Sequence, residues 1–254
     1  MNINSWKETW GTIDWTFDSE KEIKAKIKKF YNAGVDFNMR DEDNDSGCTP
    51  LFWAVNNSTP DVVSYMIEGG ADPNERDNNN KTILHAAVAS EKVDNIRYLL
   101  EHGPKKMEEK TDFNGDTPLH DAVGLLARKT EIIKILLDHN PDLVNVKNNI
   151  GSTALKTAVS WNKINAVKIL IERGADPNIR IYNPSSINPK IKELLENAKQ
   201  IREDYLKAEE QRSIPSKAKV TQVVSIQPEA TQPVATQQRK KTSWLSKWFG
   251  RQNG

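Results

Sequence analysis

The sequence predicts an all-α solenoid: helix-turn-helix repeats joined by short β-hairpin loops, then a C-terminal capping helix and a disordered tail. Three observations carry that expectation. First, Thr49-Pro50-Leu51-Phe52, Thr82-Ile83-Leu84-His85, Thr117-Pro118-Leu119-His120 and Thr153-Ala154-Leu155-Lys156 align, with threonines 33, 35 and 36 residues apart. Self-similarity at such a period marks a repeat architecture. Second, each tetrapeptide leads through Ala54-Val55, Ala87-Val88, Ala122-Val123 or Ala158-Val159 to a second apolar run. Third, two of these runs end in Gly70-Ala71-Asp72-Pro73-Asn74 and Gly174-Ala175-Asp176-Pro177-Asn178. Weaker echoes stand at Gly34-Val35-Asp36-Phe37-Asn38 and Asn140-Pro141-Asp142-Leu143-Val144-Asn145.

Each element follows in chain order. Residues 1–43 read as an N-terminal cap and degenerate first repeat. Within it Glu20–Tyr31 forms a helix with Ile23, Ile27 and Phe30 inward, and Trp6, Trp10 and Trp15 cover the open end. Full repeats follow at 44–76, 77–111, 112–147 and 148–180. In each, Thr caps a first helix, and Pro at N1 is tolerated because its missing N–H would be unpaired there. The small residues let neighbouring first helices approach. The second helix carries an Ile/Leu/Val stripe that only an adjacent repeat can bury. Gly70 and Gly174 stop their helices in a left-handed conformation. Asn80 stands where the hairpin turn elsewhere has Gly. Gly103-Pro104-Lys105-Lys106-Met107 replaces one loop signature, and extra residues fall within Leu125–Thr130 and near Val144. Residues 181–212 form the capping element, a helix over Pro189–Gln211 with Ile191, Leu194, Leu195, Ala198, Ile201 and Tyr205 on one face. Residues 213–254 are a basic tail with a Trp-rich end.

These residues resemble the ankyrin repeat family over about Gly34 to Arg180. The resemblance implies a non-catalytic protein-binding module whose concave face meets another protein. It implies contact residues at the hairpin tips: Asp45, Ser46 and Cys48; Asn78, Asn79 and Lys81; Phe113, Asn114 and Asp116; Asn149, Ile150 and Ser152. It also implies contacts at the first-helix ends: Asn56 and Asn57; Ala89 and Ser90; Gly124 and Leu125; Ser160 and Trp161. Phe113 and Trp161 are either interface anchors or local covers, Trp161 folded onto the next helix pair and Phe113 over the fourth hairpin. Trp53 reads as core. The histidines of the repeat, His85 and His120, are structural in this family. Lys156 replaces the third. The lone stack and the Lys/Asn/Ile-rich usage are similar to ankyrin proteins of intracellular bacteria, some of which are exported into host cells.

Composition excludes several other functions. The formal charge is +1, yet residues 211–254 carry eight basic side chains and one acidic, leaving 28 basic and 34 acidic for residues 1–210. A body at −6 lacks the clustered positive charge that phosphate recognition needs, so no nucleic-acid partner is expected. One cysteine, Cys48, supports neither a disulfide framework nor a thiolate zinc site. No phosphate-loop, dinucleotide or zinc-protease motif occurs, and neither cofactor nor metal is expected. No apolar stretch is long enough for an integral membrane segment. The start lacks a basic region followed by an apolar one, which suits a cytoplasmic monomer or export to a host cell without a standard signal. In the tail, Trp244, Leu245, Trp248 and Phe249 share a helical face flanked by Lys240, Lys241 and Lys247. Three uses are open for it: weak attachment to an anionic membrane surface, a short partner-binding motif, or packing against the acidic body.

Overall fold

The computed structural model describes residues 5–42, 45–104, 108, 112–125, 130–180 and 187–213. The chain divides into a unit of residues 1–208 and a second of 209–254, of which only the end of the last helix is described. The tail motif from Lys240 to Phe249 therefore lies outside the described residues. So do 126–129, 181–186 and most of the irregular loop after Pro104.

Eleven α-helices order the described residues: α1 (Glu20–Asn32), α2 (Pro50–Asn57), α3 (Pro60–Glu68), α4 (Ile83–Ala89), α5 (Val93–His102), α6 (Pro118–Leu125), α7 (Thr130–His139), α8 (Ala154–Ser160), α9 (Ile164–Glu172), α10 (Pro189–Glu196) and α11 (Ala198–Ser213). First helices pack in one row, α2 on α4, α4 on α6, α6 on α8. Second helices pack in another, α1 on α3 and onward to α9, with α10 closing on α9. No strand occurs among the described residues; the hairpin bases are reduced to antiparallel bridges at Arg76–Thr82 and Lys147–Thr153.

The row of first helices is close because its contact positions are small. Ala54, Ala87, Ala122 and Ala158 are fully buried, beside the equally buried Leu51, Leu84, Leu119 and Leu155. Each leucine contributes about 1.5–3 kcal/mol by leaving water. At the N-terminal end Trp10 is fully buried, edge-on to Phe30 and Phe37 at 5.0 and 4.9 Å. Its indole N–H donates to the Asp36 carbonyl at 2.9 Å. Trp15 is buried and Trp6 half-buried, and Ser19 with Glu22 forms a reciprocal cap on α1. The helix expected over Pro189–Gln211 is two helices, broken at Asn197, whose ψ of 10° leaves the helical range. The break lets α11 bring Arg202 to the Glu172 carbonyl and, with Arg173, to the face of Tyr205.

Hydrogen bonds between units fix how the repeats stack. The His85 ring meets the Asp116 carbonyl at 3.0 Å through Nε2, which must therefore carry the proton. Its Nδ1 then accepts from the Thr82 hydroxyl at 2.8 Å and the Thr82 N–H at 3.2 Å. His120 repeats the pattern with Thr117 and the Ser152 carbonyl. Each histidine thus ties its helix cap to the hairpin of the next unit. Phe52 stands at this position in the first repeat, and the buried Thr49 hydroxyl finds no partner among the described residues. The loops are joined in the same way. Asn38 accepts from the Asp72 N–H at 2.7 Å, and Asn145 accepts from the Asp176 N–H at 2.8 Å. Asn145 reaches that place because Pro141–Asn145 coils as a 3-10 turn burying Leu143 and Val144. Asn74 and Asn178 instead fold back onto Asp72 and Asp176.

One buried amide repairs a defect. In the second and fourth repeats, left-handed Glu91 and Asn162 (φ 56° and 54°) close the first helix, with N–H bonds to Val88 and Val159. In the first repeat Ser58 is extended, φ −111° and ψ −173°, and this closure is missing. Asn95, buried in α5 where the other repeats have Val62, Ile132 and Ala166, donates to the Val55 and Ser58 carbonyls at 2.7 and 3.0 Å. Asn95→Val restores the apolar pattern and removes the amide oxygen, which has no partner among the described residues. Yet it strands two carbonyls, so the net change should be a destabilisation of about 1 kcal/mol in urea unfolding. A neutral or stabilising result would dismiss the repair.

Burial holds the His85 imidazole below its ordinary value, against the opposing pull of the Asp116 carbonyl and the Asp121 charge. The unfolded chain then binds the extra proton first. This contribution to stability is complete above about pH 6.5 and is lost as pH falls toward the lower folded value. Denaturant midpoints measured from pH 7.5 down to 5.5 should fall less steeply in His85→Gln than in the parent. Parallel slopes would show that His85 is not titrating.

Candidate protein-binding face

Three hairpin tips are each built on one carboxylate or amide. Asp77 Oδ1 accepts from the N–H groups of Asn79 and Lys81, Asp112 from those of Asn114 and Asp116, and Asn148 from those of Ile150 and Ser152. The chain reverses at Asn80, Gly115 and Gly151, all left-handed, with φ of 63°, 75° and 70°. Asparagine tolerates this region, which explains why Asn80 can replace the turn glycine.

Neighbouring tips are bonded to each other, and this reassigns some expected contact residues. Asn78 donates its backbone N–H to Ser46 at 2.8 Å and its side-chain amide to the Asp45 carbonyl at 3.0 Å. Asn149 does the same to Asn114 and Phe113, at 3.0 and 2.9 Å. Both amides lie over a bare glycine of the preceding tip: a Cβ on Gly47 or Gly115 would sit 2.5 Å from the Asn78 or Asn149 oxygen. Asn78 and Asn149 therefore hold tip to tip. Between the second and third tips the pair differs. Asn80 carries the Cβ that would exclude an amide, and Phe113 stands where the amide would be. Only its N–H reaches back, to Asn79 at 3.2 Å.

Other expected contacts are also engaged. Lys81 Nζ is 2.8 Å from Asp121. Asn57 caps its own helix by donating to the Trp53 carbonyl at 3.0 Å. Asn56 is half-buried with its oxygen unpartnered among the described residues, and so is the indole N–H of half-buried Trp53. Asp45, Asn79 and Asn114 are exposed on the tips. Leu125 ends α6, and its side chain is outside the described residues. Cys48 is half-buried, and burial with the nearby Asp77 and Asp41 charges pushes its thiol up to about 11, so it stays protonated at neutral pH.

Among the described residues, three large apolar side chains remain uncovered on the last two full repeats: Phe113 at 69% exposure, Ile150 at 79% and Trp161 at 61%. Ile150 and Trp161 flank a groove of about 360 Å³ between the third and fourth repeats. Asp116, Asp121, Gly124 and Asn148 line it, with Thr157 and Ser160 along α8. Of the expected residues, then, Asp116, Gly124, Ile150, Ser152, Ser160 and Trp161 come together, whereas Phe113 stays on the tip outside the groove. Asp121 and Thr157 escaped sequence reasoning because tips and helix ends alone were expected to make contact. The signal was available: both stand four residues after the capping threonines Thr117 and Thr153, one turn into the first helix.

A family model for ankyrin repeats in three copies matches residues 20–109 and 104–181. The chain is 31% identical to the B-cell lymphoma 3 protein homolog of Mus musculus over 141 residues, 54% of this chain and 31% of that protein. It is 35% identical over 169 residues to a Fowlpox virus protein named for its ankyrin repeats, 65% of this chain and 33% of that one. To the neurogenic locus notch homolog protein 1 of Homo sapiens it is 26% identical over 163 residues, 64% of this chain and 6% of the other. The chain thus spans about a third or less of the length of these curated relatives.

The Gly–Asn and Asn80–Phe113 pairings make a double-mutant cycle informative. Phe113→Asn alone should add no stability, because the Asn80 side chain occupies the place of the amide. Combined with Asn80→Gly it should form the missing tip-to-tip bond and stabilise by about 0.5–1.5 kcal/mol. Strict additivity in thermal melts would show that the pairs are independent.

Proposed function

The chain belongs to the ankyrin repeat family, and on that premise we propose that it is a non-catalytic module binding one partner protein through the inner face of its third and fourth repeats. The carrying observation is Trp161 beside Ile150, two large apolar side chains left in water at the mouth of a groove. A folded protein gains nothing for its own core from that exposure. Aromatic and aliphatic anchors ringed by polar groups are the usual composition of an interface hot spot. Phe113, on the adjoining tip, extends the apolar surface at the rim. The tips of the first two full repeats present polar Asp45 and Asn79 instead, so among the described tips the exposed apolar side chains, Phe113 and Ile150, belong to the last two full repeats.

The groove is lined by Ser, Thr, Asn and Asp side chains, and the His120 ring is committed to Thr117 and Ser152. That set gives no activated nucleophile, which favours binding over chemistry. A single thiol held protonated suits a reducing compartment, in the cell of origin or in a host cell after export.

The test uses the full chain as bait, then titration of the captured partner by calorimetry. Trp161→Ala and Phe113→Ala should each weaken binding by more than about 1 kcal/mol while the thermal melt stays unchanged. Unchanged affinity in both variants would move the interface off this face.

A further inference from the structure

The groove of the third and fourth repeats also specifies what enters it; this step rests on the binding face above. We propose that the groove receives an arginine side chain from an extended segment of the partner protein, with an aliphatic neighbour of that arginine against Trp161 and Ile150. The two apolar walls call for an apolar contact, and the charge between them selects the rest. Asp116 and Asp121 line the groove, and no lysine or arginine does so among the described residues. Asp121 is paired with Lys81 at 2.8 Å, outside the lining. Among the described residues, Asp116 is met by a neutral amide, Asn148 Nδ2 at 2.8 Å, rather than by a cation.

The surroundings keep the same sign. Burial works against the Lys81 ammonium, yet the hydrogen bond and charge of Asp121, with Asp112 and Asp77 behind, hold it above its ordinary value. Among the described residues, this one cation is thus outnumbered by carboxylates, within a body whose residues 1–210 sum to −6. Electrostatic complementarity of this kind selects partners and steers their approach. Arginine fits better than lysine because its flat guanidinium stacks on an exposed indole while donating in its plane to carboxylates. Gly124 leaves space for it: a Cβ there meets no described atom within 4 Å.

Synthetic tripeptides test the proposal on the full chain. The probes are acetyl-Leu-Arg-Leu-amide and its neutral counterpart acetyl-Leu-Gln-Leu-amide. The readout is the Trp161 indole resonance, assigned by its loss in Trp161→Phe. The arginine peptide should move it with an affinity at least tenfold above that of the glutamine peptide at low salt. Asp116→Asn should bring the two curves together. Gly124→Leu, which keeps every charge and fills the groove, should abolish both, so the test survives if Asp116→Asn does not fold. Equal affinities for the two peptides, or an indole unmoved by the arginine peptide, overturn the arginine assignment. Should the captured partner still depend on Trp161 in that event, the binding face stands and only its cation preference falls. If the partner is indifferent to Trp161 as well, the face itself is wrong.

Discussion

No unit of this protein can complete itself, and that incompleteness organises everything else. A pair of helices of eight to ten residues, such as α2 with α3 or α6 with α7, has an apolar stripe on each helix and nothing of its own to cover both. The neighbour supplies the cover for Leu84, Leu119 and Leu155, and most of the free energy comes from that burial. Burial alone is indifferent to small slides of one helix pair past the next. The histidine bonds, the loop asparagines and the tip amides remove that freedom, because each joins a backbone group to one particular atom about thirty residues away.

Departures from the repeat pattern divide into two kinds. Some disturb the shared bonding, and one is answered nearby: extended Ser58 by buried Asn95. Phe52 is a departure without an answer, since it leaves the Thr49 hydroxyl without a partner among the described residues. Others cost the stack little and gain it nothing. Phe113 forgoes a tip bond while exposing its ring, and Trp161 and Ile150 face water beside a groove. Side chains of the second kind are where a scaffold of this design has room for recognition.

The same geometry explains how a stack of small units presents charge. The tips need Asp or Asn to collect backbone N–H groups, so Asp77 and Asp112 stand along one edge. Asp116 and Asp121 add to them on the inner face, and Lys81 balances one. The architecture therefore sets carboxylates along the tips for its own construction, and a binding partner meets a field to which the turns already contribute.

The helices and their order were legible in the residues themselves. Periodic Leu and Ala positions, Thr before Pro and Gly after the apolar run are local signals, and a repeated local signal averages out its errors. Ile23, Ile27 and Phe30 inward, the left-handed Gly70 and Gly174 and the structural histidines all follow from such signals. Tertiary structure alone decided which polar side chains were already spent. Asn78 looked like a free tip residue, and only the neighbouring tip shows its amide over Gly47. Asp121 looked like an ordinary helix residue until α6 and α8 placed it in one groove with Trp161. The break at Asn197 left no local mark either, for the apolar stripe runs through it unbroken. Apolar periodicity reports which side of a helix is buried, whereas a hydrogen bond depends on direction and on a partner one repeat away, which no local pattern contains.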